Sequence, residues 1–246
     1  MARWTRAIAA LPFQDGAVLD LGCAFGFTTR LLKRRGFDAT GVDGSPAYIE
    51  RARRADPLGN YLVADATRVP LPNCSFDGVL FLDVLEHLPD PQGAINEVAR
   101  LLRPGGTLAL SVPYRGLLAR LDSLNLYARF VERTGRGRFP PEIMATRRHH
   151  HFSLEDVRRL LGNDFSIRGA HRTGLGIAEL VHLPILVAFR WVAPLEWVYQ
   201  RAAFVYYTAY LAEDMLPLGP LGYHLMVVAT RRPSGEPNQP EKSAAE

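Results

Sequence analysis

Apolar residues in the first 112 positions come in short runs, each followed by a mixed segment of helical period. The runs Ala17–Leu21, Asp38–Val42, Tyr61–Ala64, Gly78–Leu82 and Thr107–Val112 have the length and density of strands covered on both faces. Between them, Thr28–Arg35, Pro46–Arg54 and Gln92–Leu102 read as helices, and Arg3–Leu11 as a short helix lying over the strands. Ser45 and Asp90 stand where N-caps belong, with Pro46 and Pro91 in the first turns. Alternation at this spacing predicts an α/β fold with a doubly wound, Rossmann-like, mostly parallel sheet.

The regular pattern ends at Pro113. Tyr114–Thr134 has the spacing of one or two amphipathic helices, and a Gly/Arg/Pro loop follows. Ser153 and Asp156 form a capping box for a helix reaching Leu161, and Phe165–Gly169 and Leu225–Thr230 are two further strands. Between these strands, residues 175–222 are rich in Leu, Val, Trp and Tyr but interrupted by Pro184, Pro194, Pro217 and Pro220. Glu179, His182, Arg190 and Glu196 gather on one side of a helical projection, opposite a broad apolar face, though the prolines rule out one straight helix. The expected organisation is a single domain over 1–230 with insertions at 113–151 and 175–222, the second forming a cap, and a disordered tail at 231–246.

Composition narrows the class only slightly. The chain of 246 residues is 48% hydrophobic and 22% charged, which is globular, and its formal charge of +4 is too weak to argue for nucleic acid. Cys23 and Cys74 have no metal or redox spacing, which points to a reducing, cytoplasmic setting. The apolar stretch Ala7–Leu11 is shorter than a signal peptide requires, and no 18-residue stretch is free of charge.

The chemistry concentrates where the first strand breaks into Gly22-Cys23-Ala24-Phe25-Gly26 before a helix. Such a turn lets a ligand approach the backbone closely. Its spacing is wrong for a dinucleotide fingerprint, since Phe27 stands where the third glycine belongs, and no phosphate-loop lysine is present.

Val18 through Gly26 resembles motif I of the class I S-adenosylmethionine-dependent methyltransferases. Asp43, Asp65-Ala66, Phe76-Asp77-Gly78-Val79, Glu86-His87-Leu88 and Leu101 through Gly106 complete the order seen in the small-molecule and ubiquinone/menaquinone-type branch. Ala24 departs from the pattern, which commonly has a second glycine there. The resemblance implies a seven-stranded sheet with an antiparallel last strand, and S-adenosylmethionine as cofactor. It assigns Asp43, beside Gly44, to the ribose hydroxyls and Asp65 with Ala66 to the adenine. Gly22, Ala24 and Gly26 would line the methionine and ribose, Asp20 would orient the turn, and Asp83 and Leu85 would flank the sulfonium. No metal is implied.

For the acceptor, a histidine of near-neutral pKa suits methylation of oxygen or activated carbon. His87, after the fourth strand, is the first candidate. His149 and His151 share a face of an extended segment, and Tyr114 follows the fifth strand. Asp83-Val84-Leu85-Glu86 argues against the amino-methylating subclass of nucleic-acid and glutamine enzymes. Six arginines between Arg129 and Arg148 suit either an anionic acceptor group or a solvated face. The aromatic-rich stretch 175–222 points to a hydrophobic, lipid-like or quinone-like acceptor, with peripheral membrane contact or a homodimer surface as further uses. A nicotinamide oxidoreductase and a non-catalytic cofactor-binding subunit are the competing functions.

Overall fold

The computed structural model describes residues 3–139, 143–144, 146–174, 176–192, 198, 201–202 and 222–233. Strands β1 (Ala17–Leu21), β2 (Asp38–Asp43), β3 (Asn60–Val63), β4 (Phe76–Leu82), β5 (Leu102–Pro113), β6 (Phe165–Thr173) and β7 (His224–Arg231) form one sheet in the order β3-β2-β1-β4-β5-β7-β6. The first five are parallel, and β7 enters between β5 and β6 antiparallel to both. The mostly parallel seven-stranded sheet with an antiparallel last strand is therefore present.

Alternating strand positions feed two apolar layers. Leu19, Leu21, Val79, Phe81, Leu108 and Leu110 pack with Ile95, Val98 and Leu101 of α4 (Pro91–Leu101) and with Val157 and Leu161 of α6 (Leu154–Leu161). Val18, Leu80, Ala109 and Met226 face the other way, onto Ala7 and Ile8 of α1 (Arg3–Ala9) and Leu32 of α2 (Phe27–Arg34). Burial on both faces accounts for the continuous apolar runs.

The local signals act as their chemistry requires. Ser45 Oγ accepts from Tyr48 N at the start of α3 (Pro46–Ala55), and Asp90 Oδ1 accepts from Gly93 N at the start of α4. The Ser153–Asp156 capping box is closed in both directions. Two boundaries differ from the pattern. Pro104-Gly105-Gly106 does not form a separate turn: β5 begins at Leu102, directly after α4, and Leu102 pairs with Phe76. β6 extends to Thr173, because β7 offers a continuous partner as far as His224.

The two insertions meet through α5 (Ser123–Thr134) and α7 (Ile177–Leu186). Leu124, Tyr127, Ala128, Val131, Ile143 and Leu186 form a small core of their own. Pro184 lies inside α7 rather than ending it, and the chain continues as π-helical turns over Val187–Val192. Glu179 and His182 turn inward, each 5% exposed, while Leu180 is 56% exposed. The polar side of this helix is thus buried, because Ser123 Oγ on α5 donates to Glu179 Oε2 at 2.5 Å and sits 2.8 Å from His182 Nδ1. Most of 193–221, including Glu196, Trp197, Tyr199, Phe204, Tyr206, Tyr207 and Tyr210, lies outside the described residues, as does most of the expected tail. No helix among the described residues is long and apolar enough to cross a membrane.

Candidate active site

The sheet order reverses between β1 and β4, so the crevice above their C-terminal ends is where this architecture receives a ligand. The turn 22–26 enters it from β1, Asp43 and Gly44 from β2, and residues 83–87 from β4.

The glycine turn is shaped by its own backbone. Gly22 N and Cys23 N both donate to Val42 O, at 2.7 and 3.0 Å. Gly22, Ala24 and Gly26 all have positive φ, at 80°, 44° and 71°. A Cβ on Gly22 would stand 2.1 Å from Val84 Cγ2, and one on Gly26 would stand 2.7 Å from Tyr61 Cε1. Both positions therefore need glycine. Ala24 adopts the same left-handed backbone with a methyl group attached, at a strain of about 1–2 kcal/mol.

Asp43 ties this turn to the next helix. Its Oδ2 accepts from Ala24 N at 2.9 Å and its Oδ1 from Ser45 N at 2.8 Å. Each oxygen keeps a lone pair for a further donor, which suits two vicinal hydroxyls. The space beside it is open, since a Cβ on Gly44 would meet only the Ala64 carbonyl, at 3.9 Å. Asp65 Oδ1 accepts from Thr67 N and Thr67 Oγ1, at 2.8 and 2.7 Å. These bonds hold its carboxyl below the usual range and leave Oδ2 for a nucleobase amine. The adjoining Ala66 is half-buried against the main core. The cradle thus fits a nucleoside with a free ribose diol.

Asp20 is buried and accepts from Thr29 Oγ1 at 2.6 Å, bracing β1 against α2. Burial pushes its carboxyl up to about 6, against the stabilising bonds from Thr29. Cys23 is a small buried hydrophobe whose thiol burial drives far above its ordinary value. Leu85 is fully buried in the main core, so its side chain packs rather than lining the crevice.

A second cluster gathers the polar groups of the cap side around Asp122, the N-cap of α5. Asp122 Oδ1 accepts from Asn125 N at 2.6 Å. Its Oδ2 accepts from His149 Nδ1 at 2.5 Å and from Tyr223 Oη at 2.9 Å, and lies 3.4 Å from His151 Nε2. Asn125 grips the His149 backbone twice, accepting from its N–H at 3.0 Å and donating to its carbonyl at 2.7 Å. The far side of His149 faces Glu86, with Nε2 3.8 Å from Oε1, and its ring stacks on His87 with centroids 5.0 Å apart.

The two histidines at Asp122 sit in different electrostatic surroundings. Burial opposes an imidazolium at His149, but the carboxylates of Asp122 and Glu86 outweigh it and push its pKa up to about 10. Burial pulls His151 down to about 4; Asp122 works against this and the His149 cation reinforces it. The ring centroids are 5.6 Å apart, at which two unit charges repel by about 3 kcal/mol at an effective dielectric of ~20. The surroundings therefore favour an imidazolium at His149 over one at His151.

The structure brings His87, His149 and His151 together; the Tyr114 ring packs against the main core under the Arg172 guanidinium at 3.9 Å, while its backbone N–H donates to the Tyr223 carbonyl at 2.7 Å. Asp83, at φ 56°, accepts from Arg3 Nη1 at 3.0 Å and Ser111 Oγ at 2.7 Å. Arg3 is 1% exposed, so α1 is anchored to the crevice by a buried guanidinium paired with the half-buried Asp83. Arg3, Asp122, Asn125 and Tyr223 are the site residues that sequence reasoning missed. Only Asp122 left a signal there, as an acidic residue before Ser123 in the expected helical stretch.

Fold and crevice together define an α/β protein with a polar cradle at the switch point of its sheet and a histidine–carboxylate cluster reaching Glu86 and His87 after β4. A family model described as a methyltransferase domain matches residues 19–110, from β1 through β5. A ubiquinone biosynthesis O-methyltransferase of Xanthomonas oryzae is 32% identical over 172 residues, which are 62% of this chain and 69% of that protein. The chain belongs to the class I S-adenosylmethionine-dependent methyltransferases. An uncharacterised methyltransferase of Mycobacterium tuberculosis is 43% identical over 100 residues, so this chain spans only 41% of that relative's length. A crystal structure of a methyltransferase from Methanosarcina mazei superposes with a TM-score of 0.61 at 20% identity, over 92% of this chain and 96% of the other. The [4+2]-cyclase SpnF superposes equally well, at 0.60 and 18% identity over 93% and 81%, so the fold alone does not dictate the reaction.

Proposed function

We propose that the protein methylates an oxygen atom of a small, largely apolar acceptor, with His151 as general base. The observation that carries this reading is the neutral, buried imidazole of His151 held beside the Asp122 carboxylate and the His149 cation. S-adenosylmethionine would supply an electrophilic methyl group for in-line displacement. Asp43 and Asp65 bind and orient the nucleoside, and the 22–26 turn fixes its approach. Asp83, held by Arg3 and Ser111, flanks the sulfonium at the end of β4. His151 accepts the hydroxyl proton, and the His149 cation steadies the oxyanion as it forms. His87 supports the His149 ring by stacking.

Two further facts favour an oxygen acceptor with an apolar body. The Xanthomonas relative is named as an O-methyltransferase of ubiquinone biosynthesis. The stretch 175–222, which leads directly into Tyr223 of the histidine cluster, is dense in aromatic residues. The test is transfer of labelled methyl to phenols carrying alkyl or isoprenoid tails, alongside amines of equal size. Methylated oxygen on the tailed phenols is expected; turnover of the amines alone would contradict the reading.

A further inference from the structure

We propose that Asp122 is the positioning residue of this site, dividing the two histidines into one fixed cation and one free base. The inference rests on the reading of His151 as base, but its geometry stands by itself. A single oxygen, Asp122 Oδ2, meets His149 Nδ1 at 2.5 Å, Tyr223 Oη at 2.9 Å and His151 Nε2 at 3.4 Å. These three belong to the 149–151 segment and to the entry of β7, so the carboxylate joins the insertion at 113–151 to the sheet. One carboxylate can neutralise one imidazolium. The shorter contact, and the second carboxylate of Glu86 beyond it, award the charge to His149. His151 is left with the longer contact and a cation beside it.

Asp122 is itself prepared for the role. It is 1% exposed and caps α5, so the helix N-terminus favours its negative charge. Burial opposes its charge, but His149, His151 and the Asn125 amide together hold its carboxyl below the ordinary range. Other charged or titratable groups around the pair are Glu86 before α4, Glu179 on α7, Arg115 after β5, Arg3 on α1 and His224 on β7. Glu179 is pushed up by burial and by Asp122, and burial together with the cations Arg3 and His149 holds His224 well below the ordinary imidazole range.

Nitrogen-15 imidazole NMR of the full chain, with each histidine assigned by single substitution, measures the division directly. In the wild type, His149 should stay doubly protonated across pH 5–9 and His151 should stay singly protonated, using the values about 10 and about 4. Asp122→Asn should bring the two midpoints at least about two pH units closer together. In the same variant kcat for methyl transfer should fall more than KM rises, with the acid limb of its pH profile displaced. Equal midpoints for the two histidines in the wild type would overturn the proposal, and so would an undisturbed His149 in Asp122→Asn. The wild-type titration decides the matter even if the variant fails to fold. If the midpoints divide as stated while His151→Gln retains full turnover, the general-base reading fails and the positioning of His149 stands.

Discussion

Ala24 stands in the ligand-binding turn with φ at 44°, where the resembled motif has glycine, and replacing it with glycine isolates one physical term. An L-residue in this conformation costs about 1–2 kcal/mol through the clash of Cβ with the following carbonyl. Glycine removes that strain but loses about 0.5–1 kcal/mol more conformational freedom on folding. The bond from the Ala24 amide to Asp43 Oδ2 uses the backbone and survives the change. Ala24→Gly should therefore stabilise the protein by about 0.5–1 kcal/mol, raising Tm by roughly 1–4 °C for a domain of this size. Urea unfolding gives the free energy and scanning calorimetry gives Tm. An Ala24→Gly protein that melts below the wild type would refute the strain argument, because the methyl group would then be contributing packing that outweighs it.

Asp20→Asn tests the buried carboxyl at the end of β1. Its pKa of about 6 in the folded state lies above the ordinary 3.8, so its contribution is favourable below pH 3.8 and is lost as pH rises through 6. The difference amounts to about 3 kcal/mol; the Asn variant should gain up to that amount at pH 8 and lose the slope between pH 4 and 6, and an unchanged slope in urea titrations would count against the assignment. Gly26→Ala forces a Cβ to within 2.7 Å of the Tyr61 ring in the left-handed region, so it should destabilise by at least about 2 kcal/mol. A Tm for that variant equal to the wild type would mean the turn relaxes freely. Arg3→Ala should detach α1 from Asp83 without removing the sheet, seen as faster amide exchange in 4–9 while β1 and β4 stay protected; uniform loss of protection would contradict a local anchor.

The sheet was legible because its strands are buried on both sides and its turns carry acidic residues or glycines where the chain leaves the core. Asp43 ends β2 and Asp65 follows β3, the strand-end positions that the sequence pattern assigns them. The packing of α5 on α7 was legible only as composition. Glu179 and His182 form a polar helix side that faces inward, because Ser123, more than 50 positions away, supplies their partner. The same long range hides Asp122 with Tyr223, which meet across |i−j| of 101, and Arg3 with Asp83, across 80. Neither pair leaves a local period. Leu85 shows the converse limit: the resemblance implied that it flanks the sulfonium, whereas its side chain, in the 3₁₀ turn over Leu85–His87, is fully buried in the main core.

The central claim is that the crevice over β1, β2 and β4 binds an adenosyl cofactor through Asp43. Calorimetric titration with S-adenosylhomocysteine, set beside NADH and repeated on Asp43→Ala, tests it most directly. One site for S-adenosylhomocysteine, no heat from NADH, and a loss of roughly tenfold or more in Asp43→Ala are expected, from two charge-assisted hydrogen bonds and a turn no longer tied to α3. Tight NADH binding with none of S-adenosylhomocysteine, or equal affinity in the Asp43→Ala protein, would contradict the account.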